Sequence, residues 1–490
     1  MNNNTSPLKV NVNESEEFYV PRDKYSDKDF PKTLKKIFES QSSLFISNNE
    51  KENSEYENIH TITFRKNSKN NEKKLVYEVR KETRAKAEKY YIHTGLYIGY
   101  IGSNNWRLEI GTGYEEQDNH FLNRMLDVAN NIYFDSKEEH VSKKDDKDPD
   151  LISLILTYLF ITNLRTAISM GLPIQYNRRV ERGFNIKGRI NIKEYISKDM
   201  LFGSKLTYSY NQLEPVQEIV DVLCLTIKTL IDNRDNRSVL DQDIIGYYNK
   251  LKVLYSGKKP TRAIINRILN HKALNNPMYG KYKKALQYAC YILENKNIIY
   301  DDNDDSESVS GFLLDISELW EVYIANLLQT ENLIDHDSSQ FYVDSQRKLD
   351  LYKGTFFSRP NYPDIVLESE KSIAVLDAKF KKMRFQYNDV DRNDLFQINS
   401  YAGYFRALQE KAAKNDRKTV RLCSLVYPYS GEKNEIPEEE KIKCGLYGFE
   451  YPDKVSTLFS IEYIDIGKDK EELLKNEKEF VERIRRILQQ

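Results

Sequence analysis

Two acidic, polar stretches divide this 490-residue chain, DSKEEHVSKKDDKDPD at 135–150 and DDNDDSESVSG at 301–311. Segments of this composition bury too little apolar surface to join a core and are typical of solvated linkers. The chain is also longer than one hydrophobic core organises. The sequence therefore predicts an α+β or α/β multidomain protein. Its three domains are a mixed, β-rich N-terminal domain at 1–145, a helical, basic domain at 146–305 and an α/β domain at 306–490.

The first and third predicted domains differ in their periodicity. Strand-like alternation covers 90–101 (YYIHTGLYIGYI) and WRLEI at 106–110, and a helix is predicted from about His120. About the first 85 residues support no assignment. The third domain reads as helix, strand, strand, helix, strand, further strands and a terminal amphipathic helix, which is an α/β pattern.

Nothing in the sequence indicates a zinc site, a disulfide framework or a membrane span. The four cysteines form no CxxC pair, and the six histidines form no HxxxH or Cys/His cluster. The most apolar run, at 151–162, is shorter than the roughly 20 residues that cross a bilayer. The start lacks the basic-then-apolar pattern of a secretory signal. We therefore expect a soluble, cytoplasmic protein without membrane contact.

A basic run in the middle domain indicates contact with a polyanion. The formal net charge is −1, so such binding needs a local patch. Between Lys250 and Lys284 the chain has ten lysines and arginines, interleaved tyrosines and no acid. Such runs attract phosphates by counterion release, and a solvated helical face is the alternative interpretation. The residues predicted to contact DNA are Arg189, Lys258, Lys259, Arg262, Arg267, Lys281, Lys283, Lys284 and Tyr401.

Two short apolar runs in the third domain, IVL and IAVL, are separated by the polar turn ESEKS. Asp364 opens the first run, and Asp377 and Lys379 close the second. Adjacent strands joined by a short turn can place Asp364 beside Asp377, and residues two apart in a strand share a face. Carboxylate oxygens hold Mg²⁺, and a lysine orients the attacking water or stabilises charge that develops on a phosphate. This combination predicts metal-dependent hydrolysis of a phosphodiester.

Two amphipathic helices supply further candidates. In GFLLDISELWEVYIANLL, Asp315 and Glu318 fit a capping box, which leaves Glu321, at the margin of the apolar stripe, to face the metal. In DRNDLFQINSYAGYFRAL, Gln397 and Tyr401 lie four apart on one face. A cap, an exposed ion pair or a surface side chain is the alternative for each residue. Their ordered coincidence favours the site. The predicted catalytic residues are Asp364, Asp377, Lys379, Glu321 and Gln397.

These motifs resemble the PD-(D/E)xK nuclease superfamily, in which an acidic helix, Pro-Asp, Asp-x-Lys and a helix with Gln-x-x-x-Tyr follow in this order. From about residue 90 the chain is similar to the McrC family, the nuclease subunits of McrBC-type systems that attack DNA with modified cytosine. The chain departs from the family at Gly111-Thr112-Gly113, where Pro-Lys is more frequent. The similarity is carried by GLYIGYIGSNNWRLEI at 95–110, ISMGLPIQYNRRVERGFNIKGRINIKEYI at 168–196, ELWEVYIANLL, YPDIVL, VLDAKFK and FQINSYAGYF.

The resemblance implies a restriction-endonuclease-like α/β fold for the third domain and a Mg²⁺ cofactor, with Mn²⁺ as an alternative. The predicted metal ligands are Asp364, Asp377, Glu321 and the backbone carbonyl of Ala378. Two partners are implied as well. One is DNA, foreign or carrying modified cytosine, and the other is a hexameric McrB-like AAA+ GTPase ring whose GTP hydrolysis the N-terminal region stimulates. The chain contains no G-x-x-x-x-G-K-[ST] loop, which is compatible with nucleotide binding on another chain.

Two other functions stay open at this point. The chain could be a self-sufficient nuclease whose basic middle domain binds DNA directly. It could also be a non-catalytic activator of an AAA+ motor that retains a nuclease-like core. The complete set of two acids and a lysine favours the nuclease over the activator.

Overall fold

The computed structural model describes residues 8–12, 30–46, 59–62, 73–84, 87–103, 106–114, 120–129, 151–199, 205–232, 240, 242–295, 309–335, 338–351, 354–356, 359–383, 390–430, 447–449 and 457–489. The chain divides into two compact units. Met1–Asp135 and Glu307–Gln490 form the first, and Ser136–Ser306 form the second. The N-terminal and C-terminal segments, which were predicted as separate domains at 1–145 and 306–490, thus share one unit.

A five-stranded sheet explains why both ends of the chain belong to one unit. Its last strand in sequence, β11 (Ser310–Asp315), pairs antiparallel with β6 (Tyr97–Ser103) and parallel with β3 (Ile59–Ile62). A Cβ atom at Gly99 would lie 2.0 Å from the carbonyl oxygen of Phe312, so glycine permits this close pairing. Pairing between segments so distant in sequence leaves no local pattern. The strands are β1 (Leu8–Asn11), β3 (Ile59–Ile62), β6 (Tyr97–Ser103), β7 (Trp106–Gly111) and β11 (Ser310–Asp315), in the order β1-β7-β6-β11-β3.

A second, three-stranded sheet completes the N-terminal part of this unit. It has the order β2-β4-β5, and α1 packs on β4 and β5. The alternation predicted over 90–101 is divided, because β5 ends at Thr94 and β6 begins at Tyr97. The helix predicted from His120 is confirmed as α2. These elements are α1 (Phe30–Ser40), β2 (Ser43–Ile46), β4 (Lys74–Arg84), β5 (Ala87–Thr94) and α2 (His120–Ala129).

The C-terminal part of the unit is built on a six-stranded mixed sheet. Its elements are α9 (Ile316–Thr330), β12 (Tyr342–Ser345), β15 (Ile365–Glu368), β16 (Ser372–Ala378), α10 (Arg392–Lys411), β17 (Thr419–Tyr429), β18 (Tyr447–Phe449), β19 (Thr457–Asp465) and α11 (Lys470–Gln489). The strand order is β12-β15-β16-β17-β19-β18, and β16, β17 and β19 are parallel. Helix α9 contacts β12 and β16, α10 contacts β16 and β17, and α11 contacts β19.

The predicted alternation of helices and strands is confirmed in this part, and the α/β character expected of it is observed. Strands β11 and β12 were not predicted, nor was the two-stranded ribbon of β13 (Leu349–Leu351) and β14 (Arg359–Asn361). β12, β13 and β14 have only three or four residues, which carry too few alternations for a period to stand out, and the six-residue β11 begins inside the acidic stretch that was predicted to be a linker. Val375 of β16 and Leu425 of β17 pack against Ile398 and Phe405 of α10 in the core that supports the site.

The second unit is mainly helical, as predicted, with α3 packed on α8 and α5 packed on α6 and α8. It also contains a three-stranded sheet that was not predicted. Many side chains of that sheet are exposed, so no apolar face marks its strands in the sequence. No helix in the described part of the chain, α3 included, is long and apolar enough to cross a bilayer. The elements are α3 (Leu151–Ile168), β8 (Ile174–Gly183), β9 (Arg189–Ile190), α4 (Ile192–Glu194), β10 (Leu206–Pro215), α5 (Gln217–Asp232), α6 (Gln242–Leu254), α7 (Arg262–Leu269) and α8 (Gly280–Asn295), and the sheet order is β8-β10-β9.

Candidate active site

The two predicted acids lie at neighbouring strands of the six-stranded sheet: Asp364 immediately precedes β15, and Asp377 belongs to β16. β15 and β16 pair antiparallel in a register that, continued by one residue, sets Asp364 opposite Asp377. The turn between them is closed by Ser369, whose Oγ accepts a hydrogen bond of 2.9 Å from the backbone N–H of Ser372. The backbone N–H of Ala378 donates to Asp364 Oδ2 at 2.9 Å. This turn and this bond fix the first carboxylate against the second strand.

Asp377 is the most deeply buried of the predicted acids, with 1% of its surface exposed. Its Oδ2 lies 2.6 Å from Lys379 Nζ as an ion pair, and no described group donates a well-directed hydrogen bond to either oxygen. Burial, and then the adjacent Asp364 carboxylate, raise the pKa of Asp377 to about 8, despite the attraction of Lys379. One lysine therefore does not offset the burial of two adjacent carboxylates, and a bound cation would supply the further positive charge.

Lys379 is held between the acids and helix α10. Its Nζ donates to Gln397 Oε1 at 3.0 Å, Gln397 Nε2 donates to the Tyr401 hydroxyl at 2.9 Å, and that hydroxyl donates to the Tyr362 carbonyl at 3.2 Å. Burial by itself lowers the pKa of Lys379, but Asp377 and then Asp364 raise it above its ordinary value. The lysine is therefore protonated, and its position is set by a chain of side chains on one helical face.

Tyr401 has a different position from the one expected of a DNA-contacting residue. It is 1% exposed, and its hydroxyl faces inward to Gln397. Burial, and then Asp377 and Asp364, raise the pKa of Tyr401 above its ordinary range. Gln397 and Tyr401 do lie on one face of α10, as predicted from their four-residue spacing. However, the buried Tyr401 hydroxyl orients Gln397, and the side chain has no accessible surface for a nucleic acid.

Helix α9 brings Glu321 to the same part of the sheet. Asp315 caps the helix by accepting hydrogen bonds from two backbone N–H groups of its first turn, as predicted. The Nε1 of buried Trp320 donates to the Val426 carbonyl at 3.3 Å, and the same carbonyl accepts the backbone N–H of Lys379 at 2.9 Å. Trp320 thus docks the helix against β17, and the half-buried Glu321 follows it directly.

Gln346, which follows β12, was not identified from the sequence. Its Nε2 donates to Asp364 Oδ1 at 3.1 Å and to Glu321 Oε2 at 3.4 Å. Its backbone N–H also donates to the Asp364 carbonyl at 3.1 Å, and its φ of 58° lies in the left-handed region. The surrounding residues SQRKLDL contain no pattern that would single out this glutamine.

The donor set is suited to a hard divalent cation in its chemistry. Within the described residues, no group of three or more His, Cys, Asp and Glu is arranged to hold a metal ion. Mg²⁺, however, commonly binds through one or two carboxylates and keeps several waters. Asp364 and Asp377 provide two adjacent carboxylates, and the oxygens of Asp377 are unused by well-directed protein donors. For Ala378 the structure records the amide contact to Asp364, and ligation by its carbonyl stays a prediction.

The predicted DNA-contacting residues other than Tyr401 belong to the second unit. Arg267 of α7 forms an ion pair with Glu218 of α5, so the local excess of positive charge is smaller than the sequence indicates. The side chain of Arg262 lies outside the described residues. The remaining side chains, which are exposed, are those of Arg189, Lys258, Lys259, Lys281, Lys283 and Lys284.

The sequence of this chain matches a known protein family, and its fold is similar to that of a solved structure. The family model described as McrBC 5-methylcytosine restriction system component matches residues 92–428. No curated protein matches the sequence. A chain from a refined half-complex of the tetradecameric assembly of Thermococcus gammatolerans McrB AAA+ hexamers with bound McrC is similar, with a TM-score of 0.50 and 16% identity. The likeness covers 83% of this chain and 85% of that chain. A chain of the Thermococcus gammatolerans McrBC complex has a TM-score of 0.36 and 14% identity, over 67% of this chain and 88% of that one.

Proposed function

This chain belongs to the family of McrBC 5-methylcytosine restriction system components, and from that premise we propose that it is the metal-dependent DNA endonuclease subunit of an McrBC-like complex. The observation that carries the proposal is the pairing of β15 with β16. It sets Asp364 opposite Asp377, with Lys379 ion-paired to the second acid at 2.6 Å. Two carboxylates and a lysine at one sheet edge are the groups that phosphodiester hydrolysis needs.

The proposed roles follow from what each side chain touches. Asp364 and Asp377 would hold Mg²⁺ or Mn²⁺, with Glu321 close by through Gln346. When bound, such a cation lowers the pKa of a water molecule and offsets negative charge on the phosphate. Lys379 brings a fixed positive charge to the same place, where it stabilises charge that develops on the scissile phosphate. Gln397 accepts a hydrogen bond from Lys379 and so keeps the ammonium directed at the site.

The proposal includes a division of labour with a second protein. The similar solved structure contains McrB AAA+ hexamers with bound McrC. We infer that this chain binds an McrB-like AAA+ GTPase ring, stimulates its GTP hydrolysis through the N-terminal segment and cuts DNA that contains modified cytosine. The lack of a phosphate-binding loop in this sequence supports the assignment of nucleotide hydrolysis to the partner.

The test is cleavage of plasmid DNA containing 5-methylcytosine by the full chain with its AAA+ partner, GTP and Mg²⁺. Asp364→Ala and Lys379→Ala should abolish cutting and leave stimulation of the partner's GTPase unchanged. Glu370→Ala removes an exposed acid from the turn between the same two strands and should cut like the wild type.

Other outcomes would favour the competing functions. Strong nicking by the isolated chain with Mg²⁺ and no nucleotide would indicate a self-sufficient nuclease. Restriction that persists in both Asp364→Ala and Asp377→Ala would contradict the endonuclease assignment and indicate an activator of the AAA+ motor.

A further inference from the structure

We propose that Gln346 is a positioning residue that holds the side chains of Asp364 and Glu321 together for a shared divalent cation. This inference rests on the proposed function. Gln346 Nε2 donates to Asp364 Oδ1 at 3.1 Å and to Glu321 Oε2 at 3.4 Å, so one neutral amide bridges two acids from different elements. Helix α9 also packs against β12 and β16, which brings Glu321 to the same part of the sheet.

The chemistry of the amide explains why a glutamine suits this position. Ionised carboxylates only accept hydrogen bonds, and an amide nitrogen has two N–H donors. The NH₂ group can therefore serve Asp364 and Glu321 at once, and its partial positive charge reduces their mutual repulsion. A lysine or arginine in the same place would add a full charge that competes with a cation for the same oxygens. The neutral amide orients the acids and leaves their charge available.

The backbone at Gln346 is shaped for the same contact. Its φ of 58° is a conformation that residues other than glycine, asparagine and aspartate seldom adopt. In this conformation the backbone N–H reaches the Asp364 carbonyl at 3.1 Å, so Gln346 binds Asp364 through both backbone and side chain. A strained residue at a cluster of functional groups is a reason to look for a role in that cluster.

The next residue makes this turn rigid. Arg347 Nε donates to Asp344 at 2.7 Å, and Arg347 Nη1 lies 2.6 Å from Glu368 Oε2. Asp344 belongs to β12 and Glu368 to β15, so the arginine ties the residues after β12 to the strand that Asp364 precedes. These contacts therefore fix the position of Gln346 relative to Asp364 and Glu321.

The test is calorimetric titration of the full chain with Mn²⁺ in the absence of DNA. Gln346→Gly should fold as well as the wild type, because glycine accepts the left-handed backbone. Its Mn²⁺ affinity should fall by about 10- to 100-fold, the range found when a group that orients a ligand is removed. Gln346→Asn keeps an amide on a shorter side chain and should lose affinity as well, because it cannot reach both acids.

Two controls separate positioning from other effects. Ser338 has a φ of 65°, so Ser338→Gly makes the same backbone change away from the acids and should leave Mn²⁺ affinity unchanged. With the AAA+ partner and GTP, excess Mn²⁺ should restore cleavage by Gln346→Gly, and it should not restore cleavage by Asp377→Ala.

The failure of this inference can be told apart from failure of the proposed function. Wild-type Mn²⁺ affinity in Gln346→Gly, together with lost binding in Asp377→Ala, would refute the positioning role and leave the endonuclease assignment standing. A wild-type chain that neither binds Mn²⁺ nor cuts DNA would refute both.

Discussion

Replacing the buried acid Asp377 by asparagine should stabilise the protein and abolish DNA cleavage. In the absence of a cation, the carboxylate is 1% exposed and lies beside Asp364, which raises its pKa from 3.8 to about 8. Each pKa unit corresponds to about 1.4 kcal/mol, so ionised Asp377 costs at most about 5 kcal/mol near pH 8. Asparagine avoids that cost but gives up the ion pair with Lys379 and brings amide protons that need acceptors.

We therefore expect Asp377→Asn to raise the free energy of unfolding by about 2 kcal/mol near pH 8 in EDTA. This corresponds to a rise in Tm of about 3 °C for a unit of roughly 300 residues. The sign of the pH dependence follows from the raised pKa. An acid with a raised folded-state pKa adds stability below its unfolded pKa and loses it as pH rises through the folded value. The advantage of the asparagine variant should therefore be largest above pH 8 and vanish towards pH 4.

Thermal melting of both proteins in EDTA at pH 5 and pH 8.5 measures this difference. Glu370→Gln, which neutralises an exposed acid in the adjacent turn, should shift Tm by less than the Asp377 variant at both pH values. Added Mg²⁺ should then raise the Tm of the wild type and leave that of Asp377→Asn unchanged. A destabilised asparagine variant, or a stability difference that does not change with pH, would refute the reasoning.

Two further predictions concern other parts of the chain. Arg483 Nε lies 2.9 Å from Glu462 Oε2, and Glu462 is fully buried. Because Arg483→Ala leaves that carboxylate buried without its partner, the variant should lose about 3–5 kcal/mol of unfolding free energy. The double variant Arg483→Ala/Glu462→Gln should regain much of this free energy, as measured by denaturant melts. In the second unit, the double variant Lys281→Glu/Lys283→Glu should weaken DNA binding and reduce its salt dependence if this face contacts phosphates, measured by fluorescence anisotropy at several salt concentrations. Arg267→Ala should change the salt dependence less, because that arginine is already paired with an acid on α5. Equal effects of these two changes would contradict a specific role for the exposed lysines.

The part of the site that could be predicted depends on contacts between residues that are close in sequence. Asp364, Asp377 and Lys379 lie in or directly next to two strands joined by a short turn, so strand periodicity and turn length were enough to bring them together. Capping chemistry located the start of α9, and helical spacing put Gln397 and Tyr401 on one face. In each case the relevant contact lies within one element or between neighbours in sequence.

Only the tertiary structure decided the features that depend on distant segments. β11 joins the N-terminal sheet and so merges two predicted domains into one unit. The same kind of distant contact sets Gln346 between Asp364 and Glu321, turns Tyr401 inward and pairs Arg267 with an acid on another helix. A sequence pattern reports which face of an element is apolar. Which polar groups meet across elements depends on how those faces pack, and that is settled by the whole fold.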